Sequence, residues 1–124
     1  MTPPAEARGT ILVVDDDRDI VETLCDILEL RGWDTLRAYD GVEAVHMAGK
    51  NPVDWIVMDV RMPRMTGVDA VHEIREQTPN ARIVLMTAYA SQDLAARAER
   101  EGVAKVLFKP FDPAVLFSVI ERAA

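Results

Sequence analysis

Cysteine is almost absent from this chain. Cys25 is the only one among 124 residues, so no disulfide can form within the fold, and a small domain stapled by disulfides is excluded. No apolar stretch approaches the length of a membrane span, and no signal-peptide pattern is present; the expected home is a reducing cytoplasm, with no membrane contact. Basic residues are the minority: 14 Lys and Arg face 21 Asp and Glu, for a formal net charge of −7. A surface that grips phosphate backbones needs the opposite balance, so no direct nucleic-acid binding is expected, whereas a basic protein partner stays open. Histidine is equally sparse. His46 and His72 share no metal-ligand spacing with each other or with Cys25, and all three read as structural or surface residues. Nor does any linker divide the chain. A 49% hydrophobic content at this length fits one domain with a real core. Residues 1–9 have no periodicity and are expected to form a disordered N-terminal tail, leaving 10–124 as the domain.

What the chain does have is a repeat of short apolar runs rich in Val and Ile. They end at Val14, Ala38, Met58, Met86 and Phe108, and each reads as a strand buried on both faces of a parallel sheet. Helical patterns fill the intervals. Ile20, Val21, Leu24, Ile27 and Leu28 recur at helical spacing before Gly32, a stop signal. A second, weakly patterned helix is expected near Gly41–Ala48. Val68, Val71 and Ile74 repeat the pattern before Pro79-Asn80, and the alanine-rich stretch Leu94–Ala98 stops before Gly102. Asp112-Pro113 caps and opens a last helix that should present Val115, Leu116, Val119 and Ile120 to the core. Trp33 and Trp55 are expected to pack at the edge. Five such units predict an α/β fold: a five-stranded parallel sheet with helices on both faces, in the order 2-1-3-4-5. Its switch point then lies between strands 1 and 3, where ligands bind beyond the carboxyl ends of the strands.

Four of the runs stop at residues with chemistry. Ile11–Val14 leads into Asp15 and Asp16, Trp55–Met58 into Asp59, Ile83–Met86 into Thr87, and Val106–Phe108 into Lys109. The predicted topology brings all of them to one spot. Asp15-Asp16-Asp17 alone would read as a strand-end turn with a helix cap, and Asp17 keeps that reading. Asp15 and Asp16 beside Asp59 form a like-charge cluster that calls for a divalent cation. Mg²⁺ suits it, because it takes oxygen ligands octahedrally and shares them among carboxylates, phosphate and water. The backbone carbonyl of Arg61 is a candidate further ligand. A carboxylate nucleophile such as Asp59 can accept a phosphoryl group, with Lys109 and the Thr87 hydroxyl neutralising or binding its oxygens.

At these residues the chain resembles the receiver domain of two-component response regulators, a flavodoxin-like fold. The matching motifs are ILVVDDD at Ile11–Asp17, IVMDVRMPRMTG at Ile56–Gly67, IVLMTA at Ile83–Ala88 and FKPF at Phe108–Phe111, and the resemblance runs from Thr10 to the end of the chain. Any one motif is weak; four in order at this spacing are specific. The resemblance implies that Asp59 is the phosphoacceptor, served by the phosphohistidine of a sensor histidine kinase or phosphotransfer protein, and that Asp15 and Asp16 hold Mg²⁺. It implies that Thr87 is the switch hydroxyl, that Lys109 contacts the phosphoryl group, and that Lys109-Pro110 is cis. Met62-Pro63 and Gly67 match the loop that shapes the pocket. It also implies a protein that promotes its own phosphorylation and dephosphorylation without turning over a separate substrate, with a homodimer or partner surface on helix 4, strand 5 and helix 5.

The chain departs from the family pattern at Val106, three residues before the lysine, where many receivers carry an aromatic ring; Tyr89 is the available ring nearby. Arg61 and Tyr89 stand two beyond Asp59 and Thr87, near the path of a hydrolytic water. Two rival readings follow. A pseudo-receiver would keep the fold and signal by protein binding alone, a reading opposed by the intact Asp15, Asp16, Asp59, Thr87 and Lys109. A haloacid-dehalogenase-type phosphohydrolase would use Asp15-Asp16-Asp17 as Asp-x-Asp, but Asp19 stands where Thr or Val is needed, and the chain lacks room for that family's core and cap.

Overall fold

The computed structural model describes residues 8–122. Ten elements alternate along the chain: β1 (Thr10–Val14), α1 (Arg18–Leu30), β2 (Asp34–Ala38), α2 (Gly41–Lys50), β3 (Trp55–Asp59), α3 (Gly67–Gln77), β4 (Arg82–Thr87), α4 (Gln92–Arg100), β5 (Lys105–Phe108) and α5 (Pro113–Arg122). All strand pairs are parallel and the sheet order is β2-β1-β3-β4-β5, as the sequence predicts. The expected strand ends hold at Val14, Ala38 and Phe108; β3 and β4 run one residue further, so that Asp59 and Thr87 are themselves the last residues of their strands.

Why continuous apolar runs form these strands is visible in the two cores. Side chains alternate across a strand, and here both faces are covered. Leu12, Val14, Ile56, Met58, Ile83 and Leu85 enter the core closed by α2, α3 and α4. Ile11, Val13, Val57, Val84 and Met86 enter the opposite core under α1 and α5. All eleven are fully buried, and about 2 kcal/mol per side chain is the usual scale of such burial.

The helices start where the caps say. Asp17 accepts from the backbone N–H groups of Asp19 and Ile20, Asp40 from Glu43, Thr66 from Asp69 and Ser91 from Leu94. Asp112 does the same for Ala114 at the start of α5. The buried stripe of α5 is narrower than the sequence pattern suggests. Leu116 and Ile120, four apart, are buried, Val119 packs at their margin, and Val115 faces outward at 42% exposure. One residue is about 100° around a helix, enough to take Val115 off a two-residue stripe. Trp33 and Trp55 are also more deeply placed than edge packing implies, at 6% and 5% exposed, because β3 is central and α5 covers them.

Of the expected tail, residues 1–7 lie outside the described residues. Arg8 and Gly9 are tied in: Arg8 N–H donates to Gly32 and Asp34 N–H donates to the Gly9 carbonyl. Among the described residues, no helix is long and apolar enough to cross a membrane.

Candidate functional site at the carboxyl ends of the strands

Register builds the site. Val14 pairs with Met58, so Asp15, one residue past β1, stands beside Asp59 at the end of β3. Asp59 pairs with Met86, which sets Thr87 one step further, and Thr87 pairs with Phe108, which sets Lys109 one step beyond β5. The backbone carries this register past the strands: Asp15 N–H donates to Ala38, Val60 N–H to Met86, and Lys109 N–H to Thr87. The Lys109–Pro110 bond is cis.

Asp15, Asp16, Asp59 and Lys109 come together as expected, whereas the Thr87 hydroxyl is bonded to Tyr89. The Lys109 ammonium lies 2.6 Å from Asp15 Oδ2 and 3.1 Å from Asp59 Oδ1. Asp15, Asp16 and Asp59 each offer a carboxylate oxygen, and these lie within 4.8 Å of one another. Asp15 and Asp59 are buried while Asp16 is exposed. Asp15 Oδ1 also accepts from the Asp17 N–H at 3.0 Å, which fixes the turn. Burial pushes the Asp59 carboxyl above its ordinary range; Lys109 pulls the other way, and Asp15 and Asp16 add like-charge repulsion. Burial works against the Lys109 ammonium, but its hydrogen bonds to Asp15 and Asp59 outweigh that and hold it above the usual lysine range.

Three carboxylates and one ammonium leave two negative charges uncompensated. Hard oxygen donors, this spacing and this charge fit a divalent cation such as Mg²⁺, with one open side at Asp16 for water or substrate oxygens. An acidic cluster that can accept a divalent cation, set beside a buried carboxylate and a lysine, supplies the positioning and charge neutralisation that phosphoryl chemistry requires.

The loop after β3 holds the carboxylate in place. Gly67 N–H donates to Val60 O at 2.8 Å, and a side chain there would place its Cβ 2.4 Å from the Asp59 carbonyl oxygen. Only glycine allows this approach. Arg64 takes the left-handed conformation, φ 69°, and pairs with Asp40 at the cap of α2. That ion pair carries no signal in the sequence.

Thr87 and Arg61 hold positions that residue types alone do not reveal. The Thr87 hydroxyl donates to the Tyr89 carbonyl at 3.1 Å and accepts from the Tyr89 N–H at 3.0 Å. Arg61 is exposed and lays its guanidinium over the Tyr89 ring, 4.5 Å from the centroid. His46 and His72 stand outside the acidic cluster, with His72 Nδ1 3.4 Å from Glu101, and Cys25 is buried in the α1 core.

A doubly wound parallel sheet with an acid pocket and a lysine at its switch point defines a class of signalling domain. The family described as "Response regulator receiver domain" matches residues 11–121, and the chain belongs to it. It is a receiver domain and not a turnover enzyme. The chain is 36% identical over 117 residues to the regulatory protein AtoC of Escherichia coli (strain K12), covering 94% of this chain and 25% of that protein. It is 31% identical over 115 residues to the chemotaxis protein CheY of Thermotoga maritima, covering 92% and 96%. Several curated relatives are longer, and the chain spans between a quarter and about half of their length. Among solved structures, it resembles a Burkholderia pseudomallei response regulator described with a phosphorylated aspartic acid, a calcium ion and citrate. That likeness has a TM-score of 0.84 at 29% identity and covers 90% of this chain and 65% of that one.

Proposed function

We propose that this receiver domain is a phosphorylation switch of a two-component system, in which Asp59 takes a phosphoryl group from the phosphohistidine of a sensor kinase or phosphotransfer protein. The observation that carries the reading is the Asp59 carboxylate held 3.1 Å from Lys109 within an acidic cluster. The phosphorylated aspartic acid and calcium of the Burkholderia structure support it by likeness.

In the transfer, an Asp59 carboxylate oxygen forms a bond to phosphorus as the phosphorus–nitrogen bond of the donor breaks, and the imidazole leaves with its electron pair. No general base is needed, because a carboxylate nucleophile has no proton to give up in the transfer. Asp15, Asp16, the Asp59 carboxylate and the Arg61 backbone carbonyl would hold Mg²⁺, which when bound supplies charge neutralisation for the incoming phosphoryl oxygens. Lys109, in contact with Asp59, would supply a second positive charge, and a Thr87 hydroxyl turned inward would supply one donor. Catalysis by positioning and charge is what phosphoryl transfer requires.

Beside Lys109 lies an apolar cleft of about 360 Å³ whose walls include Ile20, Leu24 and Ile27 of α1 with Pro110 and Phe111. Lys109 lines this cleft and also pairs with Asp15 and Asp59, which supports the cleft as a landing surface for the phosphodonor protein, in a cytoplasmic setting. A homodimer would use the α4, β5 and α5 face instead. The test is incubation with a small-molecule phosphodonor and Mg²⁺, read by intact mass. Wild type gains one phosphoryl group and Asp59→Asn does not. Unlabelled wild type beside a labelled control receiver would overturn the reading, and equal labelling of the Asn variant would move the site elsewhere.

A further inference from the structure

A hydroxyl has one proton to donate. In this structure the Thr87 proton is committed: it goes to the Tyr89 carbonyl, and the Thr87 oxygen accepts the Tyr89 N–H in return. For Thr87 to donate to a phosphoryl oxygen on Asp59, that first donation has to end. That bond is only part-buried, so trading one partner for the other is a modest exchange on hydrogen-bond grounds. Another contact restrains Tyr89. Its ring lies under the Arg61 guanidinium at 4.5 Å, and Arg61 belongs to the loop that leaves Asp59.

We infer that Arg61 and Tyr89 are positioning residues for Thr87: their stacked pair braces the loop after β4 in the arrangement that keeps the Thr87 hydroxyl turned onto Tyr89. The inference rests on Asp59 being the phosphoacceptor. The stack joins two loops at equivalent places, two residues beyond Asp59 and two beyond Thr87. A phosphoryl group that draws in the Thr87 hydroxyl pulls on the Tyr89 end, and one that crowds the loop after β3 pulls on the Arg61 end. Val106, half-buried in the α2–α3–α4 core, offers no ring to share the task. The pair therefore acts as a brake on engagement of the hydroxyl. Loss of either partner should speed phosphoryl capture by about two- to fivefold, the scale of one exposed cation–π contact.

The experiment measures the rate of phosphorylation by a small-molecule phosphodonor with Mg²⁺, read by intact mass, for Arg61→Ala, Tyr89→Ala and Tyr89→Phe. Each is made with Thr87 present and in a Thr87→Ala background. Arg61→Ala keeps the backbone carbonyl at that position. The expected result is faster labelling of both alanine variants, wild-type labelling of Tyr89→Phe, whose ring retains the stack, and no effect of any of them once Thr87 is alanine. Fluorotyrosine labelling adds a spectroscopic readout: the resonance missing in Tyr89→Phe should shift on phosphorylation of the wild type and stay fixed in Thr87→Ala. Faster labelling that persists without Thr87 would mean that the side chains merely block access, and would overturn the inference. Labelled protein with unchanged or slower rates in the alanine variants, or an unmoved Tyr89 resonance, would overturn it and leave Asp59 as the phosphoacceptor. No labelling of wild type would remove both.

Discussion

Asp59→Asn should make the protein more stable, and the structure says by roughly how much. At an effective dielectric of about 20, the Lys109–Asp59 contact at 3.1 Å is worth about 5 kcal/mol of attraction. Asp15, no more than 4.8 Å away, returns at least about 3.5 kcal/mol of repulsion. Asp16 is exposed and adds at least about 1 kcal/mol even when fully screened by water. Attraction therefore exceeds repulsion by no more than about 1 kcal/mol, so the burial of a carboxylate that is 7% exposed decides the sign. Asparagine keeps the shape and an oxygen for Lys109 while removing that cost. The expected gain at pH 7 without divalent cation is about 1–3 kcal/mol, or roughly 4 °C in Tm per kcal/mol for a domain of this size.

The pH dependence carries its own sign. The folded state holds the Asp59 proton more tightly than the unfolded chain, whose reference is 3.8. Ionisation therefore costs the fold nothing below that value, and the cost is complete above the raised folded pKa. Paired denaturant melts in a chelator, from about pH 7 down to about pH 4, should show the variant's advantage shrinking as the pH falls. A variant no more stable than wild type at pH 7 would show that Lys109 already compensates the charge. An advantage that persists undiminished in acid would show that ionisation is not its source.

Three further outcomes are expected. Gly67→Ala should destabilise by about 1–3 kcal/mol and slow phosphoryl capture, because its Cβ would collide with the Asp59 carbonyl 2.4 Å away; thermal melts and labelling rates check both effects. Mg²⁺ should stabilise the wild type by about 1.4 kcal/mol at ten times its Kd, with a smaller rise for Asp59→Asn, read by thermal melts across a cation titration. Glu121 is hydrogen-bonded to Arg31 and Trp33, with Arg31 the main cause of a carboxyl held below its ordinary range. Its contribution is present above the unfolded value of 4.5 and lost as the pH falls through the folded one, so the destabilisation caused by Glu121→Gln should fade in acid.

The sheet was readable because its signals were local. Runs such as Ile11–Val14 and Ile83–Met86 carry apolar side chains to both faces, which a parallel sheet demands. The caps at Asp17 and Asp112 are single residues of the right type. The gathering of Asp15, Asp16, Asp59 and Lys109 followed from topology alone, since strand register places whatever stands at the strand ends. What pattern could not supply was side-chain direction. Nothing in the string tells that Thr87 bonds to Tyr89, that Arg61 reaches across to its ring, or that Arg64 crosses to Asp40. Those depend on loop geometry with no period. Val115 shows the same limit in a helix, since a run of apolar residues marks a face more broadly than the core can use.

The central claim is that the Asp59 carboxylate becomes an acyl phosphate, and reductive trapping tests it most directly. Borohydride reduces an acyl phosphate to the alcohol with release of phosphate, which turns a phosphorylated aspartate into homoserine. Peptide mass mapping of protein treated with phosphodonor and Mg²⁺ should find homoserine at position 59, and none when the donor is withheld. Homoserine at another carboxylate, or an intact Asp59 in protein whose mass shows a phosphoryl group, would contradict the account.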